Sequence, residues 1–266
     1  MTSIKKVVRS PFTGSVSTEV WGKRNDQVIY RCPDTGVVFF DRSNINCDSY
    51  ESYYPYLVNF DDARNQWELN IRRKKYRRQL AVMEKYSPGR HLIDVGAGPG
   101  YFCRVACEEG WVAKGVEVSE TAVQHGRQHF QVEYTSLDRI AEASVDAITC
   151  HHVLEHLAHP REFLETIRRK LVPGGLVVIH VPHQQPLTFW LRDRLARYLC
   201  PDRDTRCCLY GSIHISGFTR GSLRNAVERV GLKTHFTRVT GMWSKYYDPF
   251  FTMKALSLCV RCRKML

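Results

Sequence analysis

The chain is predicted to be an α/β protein built on a mostly parallel sheet with helices on both faces. Three observations carry that prediction. From residue 90 onward, apolar strand-like runs alternate with helical patterns, the order that produces a parallel sheet covered on both sides. The first run, His91-Leu92-Ile93-Asp94-Val95, passes into Gly96-Ala97-Gly98-Pro99-Gly100 and then into a helical pattern from Tyr101 to Glu109. Strand, glycine turn and helix together hold a nucleotide-like ligand, because glycine lets the backbone turn tightly and come close to what it binds. The third observation is Glu117 near the end of the next apolar run. It lies about 20 residues beyond the turn, where an acidic side chain in a doubly wound fold accepts hydrogen bonds from ribose hydroxyls. The spacing is Gly-x-Gly-x-Gly, not the dinucleotide Gly-x-Gly-x-x-Gly.

A chain of 266 residues has room for one large domain, or one domain and a smaller appendage. No run approaches membrane-spanning length, and residues 1–10 are charged without an apolar segment, so a soluble protein without a secretory signal is expected. Ten cysteines at irregular spacing fall short of a disulfide scaffold, and a reduced, cytoplasmic setting is expected. The net charge of +12 favours anionic partners but identifies no reaction.

Residues 1–60 form an N-terminal extension. Val28-Ile29-Tyr30 and Val37-Val38-Phe39-Phe40 read as strands around the turn Cys32-Pro33-Asp34-Thr35-Gly36. The stretch Ser10-Pro11-Phe12-Thr13-Gly14-Ser15 has the same form. Two such turns resemble the knuckles of a zinc ribbon, whose ligand places fall on Ser10, Thr13, Cys32 and Thr35. Only one of the four is a metal ligand, so knuckle geometry without the metal is expected. An aromatic cluster follows at Tyr50, Tyr53, Tyr54 and Tyr56. Residues 61–86 read as a basic helix carrying Arg72-Arg73-Lys74-Lys75 and Arg77-Arg78. Its charged side is either a solvated face, the favoured reading, or a phosphate-contacting one, and the helix is placed to act as a lid.

Residues 87–266 form the main domain. After the glycine turn come a strand at Val112–Val118, a helix at Glu120–Phe130 and a short strand at Gln131–Thr135. Ser136-Leu137-Asp138 reads as a loop. A fourth strand, Val145–Cys150, runs into His151-His152-Val153-Leu154-Glu155-His156. A helix over Pro160–Leu171 is stopped by Pro173-Gly174-Gly175, and Leu176–Val181 is the fifth strand. Residues 182–216 interrupt the alternation as a long basic and aromatic insertion, of the kind that is either a functional lid or disordered. A helix over Arg220–Val230, capped by Thr219, precedes two closing strands at Lys233–Val239 and Leu256–Cys262. Cys259 and Cys262 point to opposite faces of such a strand, so no metal clip is expected there.

Together, Ile93 to Gly100, Glu117, Val145-Asp146-Ala147-Ile148 before Val153-Leu154-Glu155-His156, and Leu171-Val172-Pro173-Gly174-Gly175 resemble class I S-adenosylmethionine-dependent methyltransferases. The resemblance spans residues 80–262. It is nearest to small-molecule and sugar methyltransferases that carry a degenerate zinc-ribbon-like segment ahead of the catalytic domain. It implies a Rossmann-like seven-stranded sheet, mostly parallel, with the last strand antiparallel. It also implies S-adenosylmethionine as the cofactor and S-adenosylhomocysteine as its product.

Carried over by position, Gly96, Ala97, Gly98 and Gly100 pass the backbone around the methionine end of the cofactor. Asp94 helps hold that loop and approaches the amino group. Glu117 binds the ribose, Val118 lies against the adenine, and Ser136 and Leu137, with Asp138 beside them, edge it. His151 lies near the transferred methyl. An oxygen nucleophile is helped by a base near neutral pKa, and the candidates are His151, His183 and His214, with His152 beside them. No resident metal is expected. Were one present, His152, Glu155 and His156 on one helical turn, with the later His214, are the residues that would hold it.

The leading reading is methyl transfer to a hydroxyl, or less readily an amine, of a small or glycosylated metabolite. A second reading changes the acceptor to RNA, on the strength of the basic helix, the charge and the histidines. A third is a non-catalytic interaction protein on the same scaffold, since fold does not fix function.

Overall fold

A computed structural model describes residues 8–17, 19–24, 27–41, 63–184, 214–241 and 254–262. The aromatic cluster at 50–56 and most of the insertion lie outside the described residues. In chain order the elements begin with β1 (Val8–Arg9), β2 (Val16–Ser17), β3 (Val20–Arg24), β4 (Gln27–Arg31) and β5 (Val38–Phe40). Then come α1 (Ala63–Glu84), β6 (His91–Val95), α2 (Tyr101–Glu108), β7 (Val112–Val116), α3 (Glu120–Phe130) and β8 (Tyr134–Thr135). They continue with β9 (Val145–His151), α4 (Pro160–Lys170), β10 (Leu171–Pro182), β11 (Ser216–Gly217), α5 (Arg220–Arg229), β12 (Leu232–Gly241) and β13 (Lys254–Cys262).

These elements fall into two compact units. One comprises Asn46–His151, Thr166–Val178 and Cys259–Leu266, the other Met1–Ile45, His152–Glu165 and Ile179–Leu258. In the first, strands follow the order β10-β9-β6-β7-β8. β6 runs parallel to both β7 and β9, and β7 is parallel to β8. Leu92, Ile93 and Val95 of β6 and Ala147, Ile148 and Cys150 of β9 are all buried, the near-continuous apolar pattern of strands covered on both faces. α2 turns Phe102, Cys103, Val105 and Ala106 inward. Leu80 and Met83 of α1 join Phe102, Trp111, Phe130 and Leu176 in one core. Truncating Phe102 to alanine there costs about 3–5 kcal/mol. Ser119 starts α3 by accepting the Ala122 N–H at 3.2 Å. Gln131 ends it in the left-handed region at φ 55°, which shortens the expected third strand to Tyr134–Thr135.

β10 begins at Leu171, directly after α4, so Pro173-Gly174-Gly175 lies inside the strand instead of separating helix from strand. Gly174 has φ +82°, and a glycine in that conformation kinks a strand without ending it. β12 and β13, expected as the closing pair, are hydrogen-bonded neighbours. No helix among the described residues is long and apolar enough to cross a membrane.

In the second unit β11, β5, β4 and β3 make an antiparallel sheet in that order, and β1 and β2 form a hairpin. The two expected knuckles match each other. Gly14 N–H donates to Ser10 O at 2.8 Å, and Gly36 N–H donates to Cys32 O at 2.8 Å. Between them, Ser10, Cys32 and Thr35 are buried, and Thr13 Oγ1 lies 3.6 Å from Cys32 Sγ. Burial pushes the Cys32 thiol up, but hydrogen bonds from Ser10, Thr35 and Thr13 outweigh it, and the net shift is downward. Three hydroxyls thus surround a thiol where a metal ribbon gathers its ligands.

Candidate active site

The glycine loop leaves β6 and folds back over the end of β7. The N–H groups of Gly96 and Ala97 donate to Val116 O at 2.8 and 3.2 Å. Gly96, Gly98 and Gly100 have φ of 70°, 53° and 76°. All three sit in the left-handed region, which side chains resist, and this is why the turn demands glycine. Gly100 caps α2 in that conformation.

Glu117 anchors the loop from β7's side. Its Oε2 accepts the Gly98 N–H at 2.7 Å, and its Oε1 accepts the N–H groups of Val118 and Ser119 at 2.8 and 3.0 Å. Three backbone donors thus fix one carboxylate beside the loop. On the other side the Tyr134 hydroxyl donates to Gly98 O at 2.9 Å. Val118 next to Glu117 is 75% exposed, an apolar side chain standing open beside the loop. Ser136 and Leu137 follow β8 at the start of a short 3₁₀ turn, Leu137–Arg139, where a plain loop was expected.

Asp94, read in the sequence as a support of the glycine loop, is bonded to the neighbouring strand. Thr149 Oγ1 donates to its Oδ1 at 2.5 Å, with both residues buried. The register Asp94↔Thr149 in the β6–β9 pair places them side by side. Asp94 Oδ1 also lies 3.4 Å from His151 Nδ1. His151 ends β9 against Tyr76, stacked at 6.3 Å, and Phe102, edge-on at 4.9 Å. Its Nε2 is 3.0 Å from Gln79 Nε2 of α1. With the carboxylate favouring a proton on Nδ1, Nε2 accepts from the amide and carries the basic lone pair. Gln79, Tyr134 and Thr149 were not singled out in the sequence.

α1 lies against α2 in this unit. Arg73 pairs with Glu108 at 2.5 Å and Arg77 with Glu109 at 2.6 Å, and Tyr101 donates to Leu69 O at 3.0 Å. Part of the basic face is therefore paired with acids.

The other candidate histidines, His152, His156, His183 and His214, fall in the other unit. His183 makes a strand bridge with Phe218. Leu154–His156 is a 3₁₀ turn, and His152 precedes it in the left-handed region at φ 57°. The single helical turn expected over His152–His156 is therefore not formed. His152 Nδ1 still reaches Glu155 Oε1 at 3.2 Å. Ligand atoms of Glu155, His156 and His214 lie within 4.8 Å of one another, and the His156 and His214 rings meet edge-on at 4.7 Å. Burial pushes the Glu155 carboxyl up, but the hydrogen bond and charge of His152, then the charges of His156 and His214, hold it below its ordinary value. Its Oε2 is buried without a hydrogen-bond partner. One carboxylate and two imidazoles, with an unused buried oxygen, fit a divalent cation.

Residues 69–235, more than half of the chain, match the family model described as a methyltransferase domain. The chain belongs to the methyltransferase domain family. The methyltransferase domain is similar to ubiquinone biosynthesis O-methyltransferases of Alkalilimnicola ehrlichii, at 27% identity over 54% of this chain and 65% of the relative, and of Idiomarina loihiensis, at 29% over 37% and 46%. The chain spans less than two thirds of the length of these relatives. Among solved structures, it resembles a SAM-dependent methyltransferase from Methanosarcina mazei, with TM-score 0.54, 13% identity, 69% of this chain and 98% of that one. It also resembles the magnesium protoporphyrin IX methyltransferase of Synechocystis PCC 6803 with bound SAH, with TM-score 0.52, 16% identity, 77% and 88%. At such identities these likenesses establish the Rossmann-like fold of the methyltransferase domain.

Proposed function

We propose that the chain transfers a methyl group from S-adenosylmethionine to a hydroxyl of a small molecule. The observation that carries this reading is the pairing of Glu117 with the glycine loop. A carboxylate held by three N–H donors beside a turn of three left-handed glycines sets acceptor oxygens where the ribose hydroxyls of an adenosine-type cofactor would lie. Val118 supplies the open apolar surface on which the adenine rests, and Ser136 and Leu137 edge it. Membership of the family and the O-methyltransferase names of the relatives support the choice of reaction.

In the transfer, the acceptor oxygen forms a bond to the methyl carbon. When bound by the glycine loop and Glu117, S-adenosylmethionine would supply an activated methyl group, with S-adenosylhomocysteine as the product. The acceptor's proton passes to His151 Nε2, where the acceptor hydroxyl takes the place of the Gln79 amide. Because the sulfonium is already activated, placing and aligning the acceptor provides most of the acceleration. Glycosylated metabolites remain within the acceptor class. An RNA acceptor is the lesser reading, since Arg73 and Arg77 are paired with Glu108 and Glu109.

A second element is favoured by one observation, the unpartnered Glu155 Oε2. Glu155, His156 and His214 would hold a divalent cation, for which one carboxylate and two imidazoles are a suitable donor set.

Calorimetric titration with S-adenosylmethionine and S-adenosylhomocysteine tests the cofactor assignment. Micromolar binding by the wild type, abolished in a folded Gly98→Arg variant, is expected. Absence of binding by ligand-free wild-type protein, or retained binding by the variant, refutes it. A panel of hydroxylated acceptors then tests the reaction.

A further inference from the structure

Three glycines from three different elements make a niche for one aromatic ring. A Cβ added at Gly100 stands 2.6 Å from Tyr134 Oη, one at Gly115 stands 2.8 Å from Tyr134 Cε1, and one at Gly126 overlaps Tyr134 Oη. Only Gly100 has a positive φ. The backbone at Gly115 and Gly126 is open to any residue, and glycine weakens the interior of a strand and of a helix. Room for the Tyr134 ring accounts for Gly115, and room for the ring together with Pro99 O, 2.6 Å from the added Cβ, accounts for Gly126. The ring so seated delivers its hydroxyl to Gly98 O at 2.9 Å, while the N–H of the same glycine donates to Glu117 at 2.7 Å. Burial pushes the Tyr134 phenol up, so it stays protonated and a donor.

We propose that Tyr134 is a positioning residue for the cofactor: seated among Gly100, Gly115 and Gly126, it clamps the centre of the glycine loop in its binding shape. The inference rests on the reading of that loop as the S-adenosylmethionine site. Tyr134 pairs with Gly115 of β7 in the sheet and lies two residues before Ser136. It therefore ties the segment assigned to the adenine edge to the loop assigned to the methionine end. A loop held in shape before binding loses less freedom on binding, and affinity rises accordingly. Tyr134 touches no reacting atom in this account.

Tyr134→Phe keeps the ring in the niche and removes only the donor. The expected result is an S-adenosylhomocysteine Kd raised about 5–10-fold, the size of one lost hydrogen bond. The melting temperature of the ligand-free protein should stay close to that of the wild type. Amide exchange at residues 96–100 should quicken in the same ligand-free protein. With an acceptor in hand, KM for the cofactor should rise and kcat at saturation should hold. A wild-type Kd with wild-type loop exchange overturns the proposal, as does a loss of affinity fully explained by a fall in melting temperature. Gly126→Ala, which presses on Tyr134 Oη in the wild type and on Pro99 O in either background, gives an independent check. It should weaken binding more in the wild-type background than in Tyr134→Phe, and equal effects in the two backgrounds count against the clamp. If the wild type binds neither ligand, the cofactor assignment itself falls; the exchange result still decides whether the clamp exists.

Discussion

Thr149 donates its hydroxyl to Asp94 at 2.5 Å across two neighbouring parallel strands, and both residues are shut off from solvent. A carboxylate buried in a sheet needs donors of this kind. Thr149→Val removes the donor at nearly constant shape. We expect a loss of about 1–3 kcal/mol, read as a lower melting temperature in calorimetry, together with weaker cofactor binding. Unchanged stability would show that Asp94 draws its support from elsewhere.

Glu117→Gln keeps the shape of the side chain but exchanges one acceptor oxygen for a donor that meets N–H groups. Hydrogen bonds to charged groups are worth about 1.5–3 kcal/mol, so affinity for S-adenosylhomocysteine should fall about 10- to 100-fold. Isothermal titration measures it, and wild-type affinity would contradict the ribose role given to this residue.

His151→Asn tests the base. Removal of a positioned general base lowers turnover by about 10²–10⁴-fold. Cofactor affinity should change far less, because Glu117 and the loop are untouched. Turnover close to that of the wild type would rule His151 out as the proton acceptor.

The wild type purified without chelator should carry about one divalent cation per chain, the capacity of one Glu/His₂ cluster. Elemental analysis should show its loss in Glu155→Ala and in His214→Ala. Metal-free wild-type protein with activity indifferent to chelator would rule the site out.

The ribbon offers a constructive test. Ser10→Cys, Thr13→Cys and Thr35→Cys combined place four thiols at the two knuckles. This protein should bind about one zinc ion, since four cysteines complete a structural site. Cobalt substitution reads it through thiolate absorption. Failure of the folded variant to bind would mean that the knuckles hold their ligand places too far apart.

Much of the shape of the glycine loop was legible in the chain. Gly96, Gly98 and Gly100 announce themselves because their positive φ values exclude other residues, and Glu117 announces itself by its distance from the turn. The matching knuckles were legible as a repeated turn. Gln79, Tyr134 and Thr149 were not, because each acts on a partner 72, 36 or 55 positions away. A polar side chain on a helix or strand leaves no periodic trace of such a partner. The turn after β9 misled for a related reason. Periodicity assumes regular helix from His152, and a left-handed residue at φ 57° breaks that assumption without any glycine to mark it.

The hydroxyl-lined ribbon also bears on how the N-terminal extension survives in changing surroundings. A zinc knuckle is held only while metal is supplied and its thiolates stay reduced, so chelation or oxidation opens it. Here Ser10, Thr13 and Thr35 close around Cys32 with hydroxyls that chelators do not attack, and Cys32 is the one thiol among the four. The extension should therefore keep its shape in the presence of chelators that would open a metal-bound counterpart.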